Sequence, residues 1–274
     1  MNNTFNDSNT VYNKKNVLLQ TKDLNELLNT YDIDNVNDIN IYRSSFVNKS
    51  YITKKNENFI TGNMNCPKDC MPLQEISNER YEFLGDSILN TCVAKYLFDR
   101  YPQMNEGFLT NMRTKLVNGN MLAKLSKTIG LEKYVIVSKQ LEESNARENK
   151  NILEDTFEAF IAAIYIDNDM HNNGFKYASK WIISVLETHI DFSELVQNKN
   201  NPKDTLLKYC QFNFNWQPKF YETNIHDEHN KRIHTIAVKD NKNNIIGIGK
   251  ANNRKNAEIE AAKKALFYFG QQLN

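Results

Sequence analysis

Acidic side chains on an otherwise apolar helix are the first residues of this sequence whose spacing suggests chemistry. The segment ERYEFLGDSILN, residues 79–90, carries Glu79, Glu82 and Asp86 at steps of three and four residues. In an α-helix such steps return to the same face, so the three carboxylates share one side. Leu89 continues that side, which places the carboxylates at the edge of an apolar wall rather than on a solvated stripe.

A second segment, NILEDTFEAFIAAIYID at residues 151–167, repeats this pattern. It is apolar on nearly every side, which indicates a central helix of a bundle, yet it carries Asp155 and Glu158. Ala159 and Ala162 share their face and leave room for another helix. Buried carboxylates need compensating cations, and Mg²⁺ takes one or two carboxylates while it keeps several waters. The pattern suits a Mg²⁺ site, and solvated or capping acidic residues remain the ordinary alternative, because periodicity does not show that the two helices face each other.

Hydrophobic periodicity predicts the elements that must position these residues. Apolar side chains at helical spacing recur through residues 22–192, which predicts one all-α domain. Residues 1–21 are rich in Asn and are predicted to be mobile, and 52–76 contains Gly and Pro and is predicted to be a surface loop. The clearest helical segments are 79–101, 108–129, 151–166 and 174–190.

The pattern changes after a polar stretch, residues 193–201, that is typical of a linker. Pro202 suits the first turn of a helix, and alternating or β-branched segments then predict three strands. Residues 254–269 form an Ala-rich amphipathic pattern. The order α-β-β-β-α predicts a small α+β domain over residues 202–270.

Composition limits the class of protein. The 274 residues are 40% apolar, and 34 basic residues balance 33 acidic ones to a net charge of +1, so any nucleic-acid binding must come from local clusters. No apolar run is long enough to cross a bilayer, and MNNTFNDSNT lacks the features of a secretory signal. The sequence therefore predicts an intracellular protein, cytoplasmic or nuclear, that is neither secreted nor in a membrane. Four cysteines are too few for a disulfide scaffold and are expected to be reduced.

Five stretches of the chain resemble the ribonuclease III family, in family order, over residues 39–270. NERYEFLGDSIL resembles the family's signature segment, and ILEDTFEAFIAAIYID its second acidic helix. FVNKSY is similar to the T-H-K-S-Y element, with Val47 and Asn48 in place of Thr and His. The segment from EGFL to LAKLS matches the family helix that runs on from E-G-x-L, and NPKDTLLKY through AAKKALFYF resembles a double-stranded-RNA-binding domain.

The resemblance implies an all-α endonuclease domain followed by a small α+β double-stranded-RNA-binding domain. It implies a homodimeric, Mg²⁺-dependent endoribonuclease, with Mn²⁺ as a substitute, in which each subunit cuts one strand of double-stranded RNA. The products would carry 5′-phosphates, 3′-hydroxyls and short 3′ overhangs. The resemblance assigns metal-site roles to four carboxylates: Glu82, Asp86, Asp155 and Glu158. It assigns catalysis to Asp86 and Glu158.

Other positions take supporting roles by the same resemblance. Glu79, Glu106 and Lys150 match residues in or beside the catalytic cleft, although Glu79 is as well explained by bracing its helix. Phe83 matches an aromatic residue of the dimer interface, with ordinary core packing as the alternative. The predicted RNA-binding residues of the C-terminal domain are Lys208, His229, Lys250, Arg254 and Lys255.

Three alternatives remain at this stage. The chain could sequester double-stranded RNA without cutting it, or act as a helical metal phosphohydrolase on nucleotides, which would leave the C-terminal domain without a purpose. Cys66 and Cys70 could form half of a zinc site, but no nearby Cys or His completes it. The RNA-binding loop also departs from the family pattern, because Asp227 and Glu228 stand where Gly-Pro is usual.

Overall fold

The computed structural model divides the chain into two compact units, Met1–Asp191 and Phe192–Asn274. It describes residues 10–33, 36–53, 66–197, 202–228 and 231–271. The first unit is helical in its described part and the second combines helices with a sheet, which confirms the predicted fold classes.

A central helix organises the first unit. Its helices are α1 Thr21–Asn29, α2 Ile39–Ser45, α3 Glu79–Arg100, α4 Glu106–Leu116, α5 Gly119–Thr128, α6 Lys139–Glu143, α7 Lys150–Asn168 and α8 Gly174–His189. The central helix α7 packs against α2, α3, α5 and α8. The aromatic centre of this core consists of Phe157, Phe160 and Trp181. The ring centroid of Trp181 lies 5.3 Å from the ring centroid of each Phe. Each such buried side chain stabilises the fold by about 1.5–3 kcal/mol.

The segment predicted as one helix over 108–129 is two helices, so that prediction was wrong in detail. The first, α4, ends at Leu116, and Asn118 caps the second by accepting hydrogen bonds from the backbone N–H groups of Asn120 and Met121, each at 3.1 Å. Asn favours this capping position over a helix interior because its side chain competes for backbone donors. The break redirects the chain and lets Gly119 begin α5 beside α7.

Residues 10–20 differ from the mobile segment that their composition predicted. Asn13 and Leu19 are buried. The side-chain amide of Asn16 donates to the Val137 carbonyl at 3.0 Å and accepts from the Val137 N–H at 3.1 Å, and Lys14 pairs with Asp69 at 2.6 Å. Asn side chains therefore satisfy buried backbone groups here, a role that a count of apolar residues does not detect. We call residues 10–20 the N-terminal strap.

The predicted loop and linker are partly described. Residues 66–76 of the predicted loop 52–76 contain no helix, and the loop closes on itself where Gln74 forms a parallel bridge with Ile52. Within the predicted linker 193–201 the chain instead forms a short helix, α9 Phe192–Gln197.

After α9, the second unit pairs one antiparallel sheet with two further helices. These elements are α10 Pro202–Phe214, β1 Lys219–Glu228, β2 Lys231–Lys239, β3 Ile245–Ala251 and α11 Arg254–Tyr268, with strand order β1-β2-β3. The core joins Leu206 of α10 and Ile236 of β2 to Ala261 of α11. At Gly249 a Cβ atom would overlap the Ala257 carbonyl oxygen, so the glycine lets β3 lie directly on α11.

None of the described helices combines the length and the apolar character that a membrane span requires.

Candidate active site

The two acidic helices meet at Gly85. A Cβ atom at this position would overlap the backbone carbonyl of Glu158, so only glycine lets α3 and α7 approach this closely. Glu82 and Asp86 lie three residues before and one residue after Gly85 on α3. The contact therefore sets the two carboxylates of α3 beside Glu158 and Asp155 of α7, which the sequence pattern could not establish.

Burial and mutual repulsion perturb these carboxyl groups. Glu158 is 8% exposed, and burial, followed by the charges of Asp86, Glu154 and Glu82, raises its pKa to about 8. Burial and then the charge of Glu82 raise the pKa of Asp155 to about 6. The pKa of Glu82 is also raised, by burial and then by Glu79. Neighbouring negative charges oppose ionisation, so the site holds more negative charge than its surroundings compensate.

Asp86 differs from its neighbours because it is exposed and oriented by a neighbouring amide. The side-chain amide of Asn90, one turn farther along α3, donates to Asp86 Oδ1 at 2.7 Å. This hydrogen bond fixes the carboxylate and leaves Oδ2 for another partner. Asn90 was not identified from the sequence, where it reads as an ordinary polar helix residue.

The donor set fits a hard divalent cation. The four predicted metal-site residues supply only carboxylate oxygens, which Mg²⁺ and Mn²⁺ prefer. Within the described residues no three His, Cys, Asp or Glu side chains are already gathered into a coordination shell. Mg²⁺ does not require one, since it binds through one or two carboxylates and completes its octahedron with water and phosphate. Among the described residues no third His, Cys, Asp or Glu side chain joins Cys66 and Cys70 in a possible metal site, so zinc gains no support there.

Glu154 is an acidic residue of this site that sequence reasoning missed. Its carboxylate lies against the Cα of Gly119, where a Cβ atom would overlap it, and its charge raises the pKa of Glu158, Asp155 and Glu82. The helix break at Asn118 creates this contact by placing Gly119 at the start of α5. No pattern of spacing distinguishes Glu154 from the adjacent Asp155, so only the structure identifies it.

The start of α3 is braced by an ion pair. Glu79 accepts a hydrogen bond from the Ser77 hydroxyl at 3.1 Å and pairs with the ammonium of Lys49, also at 3.1 Å. The Lys49 hydrogen bond and then the Ser77 hydrogen bond lower the pKa of Glu79. The structure thus occupies both oxygens of Glu79 with protein donors.

The other predicted residues of the first unit have surroundings of their own. Glu106 begins α4 and accepts a hydrogen bond from Thr110 at 3.0 Å, and Lys150 is an exposed residue at the start of α7. No described contact joins either side chain to the four carboxylates. Phe83 is 78% exposed on α3, so ordinary core packing does not describe it.

The predicted RNA-binding residues of the second unit are exposed where they are described. Arg254 and Lys255 begin α11 behind the Asn253 cap, and Lys250 lies near the end of β3. Lys208 is an exposed residue of α10. His229 lies outside the described residues.

Arg254 also has a partner within the protein. Its guanidinium pairs with Glu258 one turn along α11 at 3.1 Å, and Glu258 also pairs with Lys203 of α10 at 2.5 Å. These pairs lower the pKa of Glu258, against the opposing effect of its burial. Basic side chains from both helices therefore converge at one end of this unit.

Comparisons with known proteins assign the family. A model of the ribonuclease III domain matches residues 79–169, and a model of the double-stranded RNA binding motif matches residues 202–268. A probable ribonuclease 3 of Acanthamoeba polyphaga mimivirus is 32% identical over 265 residues, which cover 95% of this chain and 46% of that protein. Ribonuclease 3 of Chlorobium chlorochromatii is 34% identical over 190 residues, 69% of this chain and 74% of that protein.

A solved structure of the nuclease domain of ribonuclease III from Campylobacter jejuni aligns with 62% of this chain and 99% of its own, at 26% identity and a TM-score of 0.49. The chain spans less than half of the mimivirus relative but about three quarters of the Chlorobium one. With both domain models matched in order, the chain belongs to the ribonuclease III family of endoribonucleases, with a nuclease domain followed by a double-stranded-RNA-binding domain.

Proposed function

We propose that this chain is a divalent-metal-dependent endonuclease that hydrolyses double-stranded RNA. The products would carry 5′-phosphates, 3′-hydroxyls and short 3′ overhangs, and the cation would be Mg²⁺, with Mn²⁺ as a substitute. The observation that carries this proposal is the contact between Gly85 and Glu158, which brings two acidic helices together at their carboxylates.

The four carboxylates would hold the cations. When bound, divalent cations lower the pKa of a water that attacks phosphorus and stabilise the departing 3′ oxygen. Asp86 presents a carboxylate held by Asn90 at 2.7 Å, and Glu158 presents one whose burial excludes competing water. Deprotonation of Glu158, with its pKa of about 8, becomes favourable beside a cation, so the perturbed acids are suited to that partner.

The exposed face of α3 supports a homodimer. Phe83, Ser87, Thr91 and Phe98 are exposed at helical steps along α3, and the two Phe side chains are 78% and 67% exposed. Large aromatic side chains left on one helix face are typical of an interaction surface. A second copy that covers this face would place two acidic sites in one particle, so that each subunit cuts one strand.

The second unit would bind the RNA duplex through phosphates and 2′-hydroxyls. Arg254 and Lys255 at the N-terminus of α11 add side-chain charge to the helix dipole, which also favours an anion. Lys250 and Lys208 add exposed positive charge in the same unit, and His229, which follows β1 in the sequence, is proposed as a groove contact. Affinity that depends on phosphates falls as salt rises.

A cleavage assay on a long RNA duplex, with the product ends mapped, tests the function. Wild-type protein with Mg²⁺ should give 5′-phosphates and staggered cuts, and EDTA should abolish cutting. Asp86→Asn and Glu158→Gln should each lower the cleavage rate by about 100-fold or more. Duplex binding should stay within about threefold of wild type, because the second unit is unchanged. Cleavage by both variants at the wild-type rate would contradict the site assignment. Binding without cleavage by the wild-type chain would instead support RNA sequestration.

A further inference from the structure

Hydrogen bonds hold the backbone around Lys49 in place beside the acidic site. Lys49 starts a single turn, Lys49–Tyr51, in which Asn48 Oδ1 accepts from the Ser50 N–H at 3.0 Å. The Asn48 N–H donates to the Ile136 carbonyl at 3.0 Å, and the Ser138 N–H donates to Ser50 Oγ, also at 3.0 Å. The turn is thus fixed to the segment 136–138 on both sides of Lys49.

The same turn is fixed to the start of α3. The Asn78 N–H donates to the Val47 carbonyl at 2.8 Å, and the Asn78 side chain, which is buried, donates to the Ser45 carbonyl at 3.3 Å. Lys49 therefore keeps a defined position relative to Glu79 and Glu82, although its own side chain is 70% exposed.

Lys49 pairs with an acidic residue and also lines a cavity whose other described lining residues are neutral. It pairs with Glu79 at 3.1 Å, and its charge lowers the pKa of both Glu82 and Asp155 against the larger effect of their burial. Lys49 also lines a cavity of about 520 Å³. Among the described residues, the other side chains that line this cavity are uncharged: Val11, Ser50, Ile52, Leu73, Ser138 and Gln140.

This asymmetry suits a phosphodiester. A phosphate among the carboxylates meets repulsion, whereas one in the cavity meets Lys49 and no acid among the described lining residues. The existing partner does not prevent this exchange, because ion pairs between exposed side chains are weak. We propose that Lys49 is an RNA-binding residue of the nuclease unit that exchanges Glu79 for a backbone phosphate next to the scissile one.

This inference rests on the proposed function, and its test separates the two. Lys49→Gln would be compared with Lys49→Arg and with Lys14→Gln, each in a Glu158→Gln background that blocks hydrolysis, with Mg²⁺ and a long RNA duplex. Lys14 is a matched control, because its pair with Asp69 is equally exposed, with Lys14 at 67%, and belongs to the same unit.

Loss of one phosphate contact changes the salt dependence of binding in a defined way. The slope of log affinity against log salt should fall in magnitude by about one in Lys49→Gln, so that the loss of affinity is about fourfold larger at 50 mM than at 200 mM salt. Lys49→Arg should retain the wild-type slope, as should Lys14→Gln.

Two results would overturn the proposal. One is a Lys49→Gln slope equal to wild type, which would make Lys49 a partner of the carboxylates alone. A Lys49→Gln variant that keeps Glu158 would then change only the Mg²⁺ concentration needed for cleavage. The other is an equal fall in slope for Lys14→Gln, which would indicate a general effect of net charge. If instead the wild-type chain binds the duplex without cutting it, the proposed function fails while the slope remains informative.

Discussion

Removing the charge of Glu158 should stabilise the metal-free protein, and increasingly so as pH rises. The folded protein holds a proton on Glu158 up to a pKa of about 8, whereas the ordinary value is 4.5. The free energy of unfolding therefore falls as pH rises from 4.5 to 8, because the unfolded chain releases this proton more easily. Glu158→Gln has no proton to lose and should not show this decline.

The size of the effect follows from the two pKa values. A difference of 3.5 between the values of 8 and 4.5 corresponds to roughly 5 kcal/mol over the full range, and to roughly 3 kcal/mol between pH 6 and pH 9. We therefore expect the stability advantage of Glu158→Gln over wild type to grow by about 3 kcal/mol across that interval in EDTA. Added Mg²⁺ should stabilise wild type more than the variant, since a ligand stabilises the state that binds it.

Urea unfolding followed by tryptophan fluorescence measures this advantage. A Trp216→Phe background leaves Trp181 as the sole tryptophan, and Trp181 is fully buried in the core of the first unit. Asp69→Asn is the control, because the hydrogen bond and charge of Lys14 lower the Asp69 pKa, so its loss should bring no gain at alkaline pH. An advantage of Glu158→Gln that is the same at pH 6 and pH 9, or none at all, would refute this account of the site.

Three further predictions concern packing, assembly and domain roles. Gly85→Ala should cost about 1–3 kcal/mol or more and abolish cleavage, because its Cβ overlaps the Glu158 carbonyl. Gly107→Ala, whose Cβ meets only ordinary contacts, should leave both unchanged, and equal unfolding midpoints for the two variants would contradict this. Phe83→Ser should shift the sedimentation coefficient from dimer to monomer, whereas Met170→Ser, equally exposed on another element, should not. Deleting residues 202–274 should weaken duplex binding and make cleavage more dependent on low salt without removing it; complete loss of cleavage at low salt would show that this unit does more than tether RNA.

Much of the architecture was predictable because it depends on local periodicity. The apolar pattern of α7 identified the central helix, and alternation identified the three strands. The spacing of Asp155 and Glu158 indicated a shared face, since a helix fixes that relation within one element. Their approach to Asp86 was not predictable from spacing, because it depends on a backbone contact at Gly85 between distant segments.

What sequence reasoning missed involves contacts between distant residues. Glu154 belongs to the site only because Gly119, after the break at Asn118, lies against its carboxylate. Asn16 is an ordered residue only because Val137 offers a backbone donor and acceptor at the matching place. A polar residue and its partner more than a hundred positions apart leave no periodic trace in the sequence.

The N-terminal strap has a consequence for the order of folding. Asn16 and Val137 are 121 positions apart, and Arg147 adds a further bond to the Lys15 carbonyl at 3.4 Å. Because a ribosome delivers the chain in the N-to-C direction, residues 10–20 must wait until more than a hundred further residues have been synthesised before their partners exist. Closing so long a loop is entropically costly, so the strap should dock late and slowly, as contacts of high sequence separation do.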